Sequence, residues 1–232
     1  MHILLTRPLE DSKELILRFS SLGHKVSHFP VIKIENIDYE EPDYNQYKGI
    51  IFTSANAIKN LNVSKIDKNI NCFCVGSATE KLANQKGFLN IFSAEGSVNN
   101  LKEIILQNFE PKIGPLIYIS GEVISFKLDK DLISEGYSIK RIINYTVKPI
   151  EEMNDEFIKD LKSVIPDIVF IYSENSAINF LNIIKKYDLL DGWMETNLMC
   201  LGEKASKVLN EIKWKKIFLF NPGEEEFLLY KI

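Results

Sequence analysis

Two glycines stand where a short apolar run gives way to a helix-like pattern. Gly76 lies in "CVGSATEKLANQKG" and Gly202 lies in "CLGEKASKVLNEIK". A strand that runs directly into a helix leaves free N–H groups and the positive end of the helix dipole at the junction. Such junctions bind anions. Neither segment carries the Gly-Lys-Ser/Thr of a Walker loop, so the pattern does not indicate a nucleotide-triphosphate site.

Apolar runs of four to six residues alternate with helix-period segments along the whole chain. Runs such as "HILLT", "GIIFTS" and "DIVFIYS" read as strands, and "EDSKELILRFSSLG" reads as a helix that stops at Gly23. This alternation is typical of βαβ units with a parallel sheet covered on both faces. We therefore predict an α/β fold of two similar domains, each a parallel sheet flanked by helices, flavodoxin-like or Rossmann-like, joined by a two-strand linker.

An internal repeat predicts how the domains are divided. The segment 50–61 aligns without gaps to 170–181, and the Gly76 segment aligns to the Gly202 segment. The unit that begins at Met1 stands before these blocks, whereas its counterpart near Leu116 stands after the first of them. We therefore predict a discontinuous domain of residues 1–35 plus 149–232, an inserted domain of residues 38–145, and linker strands near 30–37 and 142–149.

Composition limits the classes of function. The net charge is −4 and the pI is about 5.6, which argues against a nucleic-acid partner. No signal peptide and no apolar run of about 18 residues is visible, so we expect no membrane segment and a cytoplasmic location. The three cysteines read as buried free thiols, and His24 and His28 lack a third ligand. We expect neither a metal nor an organic cofactor.

Taken in order, the motifs resemble those of the uroporphyrinogen-III synthase family. That family is typified by V-T-R-P, F-T-S-x-N-A-V, V-G-x-x-T, a V-Y-x-T linker, F-T-S-P-S-A-V and I-G-x-x-T. The matching segments are Leu5-Thr6-Arg7-Pro8, Phe52-Thr53-Ser54-Ala55-Asn56-Ala57-Ile58, Val75-Gly76-Ser77-Ala78-Thr79, Asn144-Tyr145-Thr146, Tyr172-Ser173-Glu174-Asn175-Ser176-Ala177-Ile178 and Leu201-Gly202-Glu203-Lys204-Ala205. The departures are Ala205 in place of Thr, Glu174 in place of Ser, and Ser125 in place of an Arg.

The resemblance implies an enzyme that closes hydroxymethylbilane, a linear tetrapyrrole polycarboxylate, into uroporphyrinogen III with inversion of the last ring. It implies a lyase of haem biosynthesis, monomeric, and leaves room for a transient contact with hydroxymethylbilane synthase. It places Tyr145 on the linker as the catalytic proton donor. The substrate carboxylates would be bound at the strand-to-helix junctions of the two domains. The substrate-binding residues expected there are Arg7, Thr53, Ser54, Asn56, Gly76, Ser77, Thr79, Gly121, Glu122, Ser173, Asn175, Gly202 and Glu203.

Each of these residues also has a purely structural interpretation. Gly76 and Gly202 would then serve the turn alone, Ser54, Asn56 and Asn175 would be helix N-caps, Thr79 a plain helix residue, Arg7 a surface ion-pair partner, and Tyr145 a packing residue. Two alternative functions also remain open. One is a non-catalytic bilobal binder of an anionic small molecule, and the other is a tandem receiver-like signalling module, which would need carboxylates where the strands here end in hydroxyls.

Overall fold

A computed structural model describes all residues, 1–232, of the chain. The strands are β1 (His2–Leu5), β2 (Lys25–His28), β3 (Ile32–Asn36), β4 (Gly49–Phe52), β5 (Asn71–Val75), β6 (Asn90–Ala94), β7 (Leu116–Gly121), β8 (Ile139–Pro149), β9 (Ile168–Ile171), β10 (Asn197–Cys200) and β11 (Lys216–Leu219). The α-helices are α1 (Leu9–Ser21), α2 (Ala55–Lys59), α3 (Ser77–Gln85), α4 (Val98–Asn108), α5 (Leu128–Ser134), α6 (Asp155–Ser163), α7 (Glu174–Lys186), α8 (Glu203–Val208) and α9 (Glu225–Leu229). Strands and helices alternate through most of the chain because short apolar runs alternate with amphipathic segments.

The chain forms two compact units. The terminal unit comprises Met1–Lys33 and Lys148–Ile232, and the central unit comprises Ile34–Val147. The boundaries lie within β3 and β8, so these two strands carry the chain from one unit to the other and back.

Each unit is built on its own sheet. The terminal sheet has the strand order β11-β10-β9-β1-β2, and every neighbouring pair in it is parallel. The central sheet has the order β3-β8-β7-β4-β5-β6, and the pairs that join β4 to β8 are all parallel. The predicted α/β class with two parallel sheets flanked by helices is therefore confirmed.

The two sheets arrange equivalent strands in the same spatial order, but they differ in which of these strands comes first along the chain. Numbered along the chain, the central strands β4 to β8 lie in the order 3-2-1-4-5, which is Rossmann-like. The terminal strands lie in the order 2-1-3-4-5 when numbered the same way, which is flavodoxin-like. In both sheets the chain order reverses at one strand pair, β4 with β7 and β9 with β1. In folds of this kind ligands bind outside the carboxyl ends of the strands at this reversal.

The structure shifts part of the internal repeat by one residue. In the central sheet Gly49 pairs with Asn71, and in the terminal sheet Ile168 pairs with Asn197. Because the two Gly-containing segments match Asn71 to Asn197, Gly49 corresponds to Ile168 rather than to Val169. The gapless alignment of 50–61 with 170–181 is therefore wrong by one residue.

Burial explains why matching identical residues gave the wrong alignment. The buried pair in α2 is Ala57 and Ile58, and the buried pair in α7 is Ser176 and Ala177. Aligning by identity places Ile58 on Ile178, whose side chain is exposed. The position that faces the sheet is preserved, whereas the residue that occupies it is not.

Alternate residues of the buried strands pack into separate apolar layers on the two faces of each sheet. In the central unit Ile50 and Phe52 join one layer while Ile51 joins the other. In the terminal unit Leu4 and Leu5 divide in the same way. This two-sided burial accounts for the near-continuous apolar runs in the sequence.

The three cysteines, Cys72, Cys74 and Cys200, are free and buried, as the sequence predicts. No helix is long and apolar enough to cross a bilayer.

Candidate functional site

A cavity of about 160 Å³ opens at the carboxyl end of the central sheet, where the chain order reverses between β4 and β7. It is lined by residues that follow β4, by the end of β7 and its following turn, by the start of α4 and by β8. The lining residues are Thr53, Ser54, Val98, Tyr118, Gly121, Val123, Ile124, Ser125, Phe126 and Tyr145. Four of the predicted site residues, Thr53, Ser54, Gly121 and Tyr145, are thus brought together in one place.

Tyr145 reaches this cavity because of a bulge in β8. Ser120 pairs with Ile143, but Gly121 pairs with Tyr145, so Asn144 is the extra residue. The bulge turns the Tyr145 ring over Gly121. A Cβ atom added at Gly121 would lie 2.8 Å from Cζ of Tyr145 and 3.0 Å from its hydroxyl. Gly121 is therefore glycine because the phenol end of Tyr145 occupies the space of a side chain.

Tyr118 places a second phenol at the cavity. Its hydroxyl lies 2.9 Å from that of Thr53, and its ring is 1% exposed. Burial raises the pKa of Tyr118, while the hydrogen bond to Thr53 and the charge of Arg141 lower it. The neutral phenol is thus the form held in the fold, and it can accept or donate one hydrogen bond. Tyr118 is not among the residues predicted from the sequence, although a phenol inside the apolar run "LIYIS" was a usable signal.

The turn after β7 is held by an arginine from β8 that the sequence analysis also missed. Arg141 donates from Nε to Ser120 Oγ at 2.8 Å and from one terminal nitrogen to the carbonyls of Gly121 at 2.7 Å and Glu122 at 3.0 Å. The Glu122 carboxylate accepts from the Thr146 hydroxyl at 2.7 Å. Glu122 itself is exposed and does not line the cavity.

Thr53, Ser54 and Asn56, which follow β4, are half-buried and have different local contacts. Ser54 is the N-cap of α2 and accepts a hydrogen bond from the Asn56 N–H at 3.2 Å. Asn56 lies inside the helix, so its interpretation as an N-cap is wrong. Thr53 stands before the cap and is the residue whose hydroxyl turns to Tyr118.

Gly76 is the N-cap of α3, with φ 82° and ψ 147°, and Gly202 is the N-cap of α8, with φ 87° and ψ 162°. This backbone region is almost exclusive to glycine. The glycines are therefore required by the turn, and no side chain caps either helix. Gly76, Ser77 and Thr79 do not line the central cavity. Ser77 is exposed, whereas Thr79 is 4% exposed.

The carboxyl end of the terminal sheet has a charged side chain. The guanidinium carbon of Arg7, which follows β1, lies 4.3 Å from the ring centroid of Tyr172, which follows β9. A cation over an aromatic face is attracted by the ring quadrupole. Burial raises the pKa of Tyr172, and the nearby charge of Glu225 adds to this, while Arg7 lowers it.

Arg7 faces a cavity of about 230 Å³ within the terminal unit. The cavity is lined by Arg7, Asp11, Glu14, Leu15, Arg18, Gly223, Glu225 and Glu226. His28 donates from Nε2 to the Arg7 carbonyl at 2.7 Å, which fixes the backbone beside it. Because four carboxylates surround two guanidinium groups here, the cavity offers less net attraction to an anion than Arg7 alone suggests.

The helix starts of the terminal unit complete the predicted set. Ser173 is the N-cap of α7, accepts from the Ser176 N–H at 3.1 Å, and lies 2.9 Å from the Ser176 hydroxyl. Asn175 lies inside the helix and is not the cap. Glu203 is the first residue of α8 and pairs with Lys207 at 3.3 Å. Ser173, Asn175, Gly202 and Glu203 are all exposed.

One departure in the second motif set, Ala205, has a simple place in the structure. Ala205 is 1% exposed on the inner face of α8, at the position that Thr79 holds in α3. Ser206 does not replace the missing Thr, because its hydroxyl donates to the Glu203 carbonyl at 2.9 Å. No group of three or more His, Cys, Asp or Glu side chains in the chain could hold a metal ion.

The chain is similar to known uroporphyrinogen-III synthases. A family model described as HEM4, Uroporphyrinogen-III synthase HemD, matches residues 13–219. The chain is 25% identical over 166 residues to the uroporphyrinogen-III synthase of Saccharomyces cerevisiae. That match covers 62% of this chain and 60% of the yeast protein, so it spans less than two thirds of the relative's length.

Solved structures share the fold. A uroporphyrinogen-III synthetase from Helicobacter pylori matches with a TM-score of 0.64 and 18% identity, covering 100% of this chain and 99% of that chain. A mutant uroporphyrinogen III synthase from Thermus thermophilus matches with a TM-score of 0.56 and 13% identity, covering 100% and 98%. At these identities the likeness is one of fold. Since the family model covers most of the chain, in a fold that its members share, this protein belongs to the uroporphyrinogen-III synthase family.

Proposed function

We propose that this protein converts hydroxymethylbilane into uroporphyrinogen III, with inversion of the last pyrrole ring. Membership of the family supports the reaction. The observation that carries the proposal is the phenol of Tyr145, which lies over Gly121 in the lining of a cavity that hydroxyl-bearing and apolar residues share. This cavity lies at the chain reversal of a parallel sheet, where α/β folds of this kind bind ligands.

The reaction needs one proton to be taken up and one to be released, and it moves a carbon–carbon bond of the last ring from one ring carbon to the other. The hydroxyl of the substrate takes up a proton and leaves as water, because the electron-rich pyrrole supplies the electron pair that replaces the broken C–O bond. The resulting azafulvene bonds to the substituted carbon of the last ring and gives a spiro intermediate. The bond between the spiro carbon and its original methylene bridge then breaks. The freed bridge carbon bonds to the unsubstituted carbon of the same ring, which loses a proton, and this gives the inverted macrocycle. The sum is the loss of one water.

Tyr145 is the residue that we assign to the leaving hydroxyl. It donates a hydrogen bond, or its proton, to the departing oxygen. A phenol has an ordinary pKa near 10 and is a modest acid, so the help it gives is limited. Thr53 and Tyr118 form a hydroxyl pair on the same cavity wall, which can orient a polar group of the substrate.

The larger task is to fold the substrate. The bilane closes without an enzyme to the uninverted isomer, so the protein must hold its two ends in the arrangement that leads to inversion. The carboxylates of the substrate would be bound by N–H groups at the helix starts after Gly76 and Gly202 and by the Arg7 guanidinium. Backbone donors add no formal charge, which is consistent with a protein whose net charge is −4.

We also propose that the protein acts as a monomer in the cytoplasm and receives its substrate during a transient contact with hydroxymethylbilane synthase. A short transfer is chemically useful because the free substrate closes spontaneously to the other isomer.

The test is to incubate the purified protein with enzymically generated hydroxymethylbilane and to separate the product isomers by chromatography. We expect uroporphyrinogen III to dominate, and heat-denatured protein to give the uninverted isomer. A native sample that gives the uninverted isomer at the spontaneous rate would refute the proposal. If the native protein slowed spontaneous closure without changing the isomer, it would be a binder of the bilane rather than an enzyme.

A further inference from the structure

Arg141 connects three neighbouring groups of the turn that follows β7. Its Nε–H bonds the Ser120 hydroxyl, and one terminal nitrogen bonds the carbonyls of both Gly121 and Glu122, at distances from 2.7 to 3.0 Å. Hydrogen bonds from an ionised donor are stronger than neutral ones, and the planar guanidinium holds its acceptors in a fixed fork. The side chain therefore fixes the path of the backbone from Ser120 to Glu122.

That backbone path determines where the phenol of Tyr145 can lie. The ring covers the Cα of Gly121 so closely that an added Cβ would lie 2.9 Å from Cε2 and 3.0 Å from the hydroxyl oxygen. The Glu122 N–H in turn donates to the Tyr145 carbonyl at 2.9 Å. Turn and tyrosine are thus connected at the backbone and in contact at the ring, so a shift of the turn moves the hydroxyl.

The opposite side of the bulge has its own anchor. Asn144, the inserted residue, is 1% exposed and donates from Nδ2 to the Ala57 carbonyl of α2 at 2.8 Å. The Asn144 carbonyl accepts from the Ile37 N–H at 3.0 Å. With the bulge held from α2 and the ring packed in an apolar layer of the central unit, the turn after β7 supports the phenol from the Gly121 side.

Arg141 does not itself line the cavity. Its Nε and one terminal nitrogen are used by the turn, which leaves the side chain directed at protein acceptors rather than at a ligand. Its influence on the reaction must therefore pass through the groups that it holds.

From these contacts we infer that Arg141 is a positioning residue for Tyr145. It fixes the Ser120–Glu122 turn so that the phenol hydroxyl points into the cavity at the place where the departing hydroxyl of the substrate is protonated. The inference rests on the proposed function.

A double-mutant cycle tests this inference. The proteins are the wild type, Arg141→Gln, Tyr145→Phe and the double variant, assayed for kcat, KM and product isomer. The matched control is Lys140→Gln, which removes the same charge from the neighbouring exposed position of β8. We expect Arg141→Gln to lower kcat about 10- to 100-fold with KM and isomer unchanged, since a misplacement of about 1 Å has effects of this size. Arg141→Lys should not restore kcat, because an ammonium lacks the fork.

In the Tyr145→Phe background the Arg141→Gln change should cost less than about twofold, because the hydroxyl that it positions is already gone. An equal loss in both backgrounds would overturn the inference, and so would a raised KM with unchanged kcat. Lys140→Gln should match the wild type, and a loss as large as that of Arg141→Gln would also count against it.

A second measurement does not depend on activity. The amide exchange of Glu122, followed by NMR on ¹⁵N-labelled protein, should become about tenfold faster or more in Arg141→Gln, while that of Ile51 in the sheet stays unchanged. Unchanged exchange at Glu122 would overturn the positioning role. If the wild type made no uroporphyrinogen III, the proposed function would fail, and the exchange experiment would still decide whether Arg141 holds the turn.

Discussion

The carboxyl end of the central sheet presents uncharged hydroxyls, whereas the corresponding end of the terminal sheet presents a guanidinium and carboxylates. The sheet registers match the two ends residue by residue. Gly49 pairs with Leu116, and Ile168 pairs with Ile3, so Leu116 corresponds to Ile3. Counting four residues further along both strands makes Ser120 of the central unit equivalent in position to Arg7 of the terminal unit.

The same count places Gly121 of the central unit at the position of Pro8 in the terminal unit. The phenol of Tyr145 rests where the side chain of residue 121 would be, so a tyrosine can take this position only over glycine. Likewise Thr53, which shares a hydroxyl contact with Tyr118, corresponds to Tyr172, which stacks under Arg7. One strand order therefore carries two different surfaces, and the proton-donating chemistry that we propose belongs to the central unit.

The largest effect on this difference should come from Gly121→Ala, which gives the central unit a side chain at the position of Pro8. Because the new Cβ would lie 2.8 Å from Cζ of Tyr145, the ring and its hydroxyl must move. We expect kcat to fall about 100-fold, because the displaced ring would also obstruct the cavity. Steady-state kinetics with isomer analysis measures it. The control is Gly23→Ala, where a Cβ meets nothing within 4 Å but the left-handed φ of 81° strains an alanine. This variant should lose stability and keep the wild-type kcat. Wild-type kcat in Gly121→Ala would mean that Tyr145 has no role in the reaction.

Tyr145→Phe removes the hydroxyl and keeps the ring. Turnover should slow by about 10- to 100-fold, at or below the low end of general-acid effects, because the pyrrole expels the hydroxyl without much help. The isomer of the product should stay the same, since the substrate is folded by other groups. Single-turnover kinetics separates the chemical step from release. A slow variant that released the uninverted isomer would show that Tyr145 shapes the substrate instead.

Thr79→Ala makes the helix start after Gly76 resemble the one after Gly202, where Ala205 occupies the same buried position. If the Thr79 hydroxyl binds a substrate carboxylate, its loss should raise KM about tenfold, the size of one charge-assisted hydrogen bond. Ser206→Ala is the matched control. Because the Ser206 hydroxyl donates to the Glu203 carbonyl, its removal should leave KM unchanged. Equal KM values in the two variants would assign carboxylate binding to backbone groups alone.

The smallest effect concerns the hydroxyl pair. Thr53→Val removes the hydrogen bond that lowers the pKa of Tyr118, so this pKa, already raised by burial, should rise further. A phenol whose pKa is raised in the fold adds stability that is present below about pH 10 and is lost as pH rises through the folded value. We expect a loss of about 1 kcal/mol in the free energy of unfolding at neutral pH.

A titration of ¹³C-labelled tyrosine by NMR measures the Thr53→Val effect. The midpoint of the Tyr118 titration should move to higher pH in the variant. Tyr172, in the other unit, is the internal control, and its titration should be the same in both proteins. An unchanged Tyr118 titration would show that the 2.9 Å contact between the two hydroxyls is not a hydrogen bond in solution.

Particular residues show how far the sequence predicts this protein. The alternation of apolar runs with helix-period segments predicted the α/β class and both sheets, because burial on two faces imposes an apolar run on each strand. Gly121 and Tyr145 were both named from sequence motifs. Arg141 was not, because it lies 20 residues from its partner Gly121 and forms no local pattern with it. The alignment of 50–61 with 170–181 failed for a related reason, since identical letters do not reveal which helix face is buried.

The sequence by itself determined the alternation of strands with helices and hence the α/β class, because these depend on local periodicity and on turns such as those at Gly76 and Gly202 that need a glycine backbone. Only the tertiary structure decided that Tyr145 lies over Gly121, that Tyr118 shares a hydroxyl contact with Thr53, and that Arg141 holds the turn between them. These contacts join residues from different strands. Strand register and a single-residue bulge set them, and both are fixed by packing across the whole sheet rather than by neighbours along the chain.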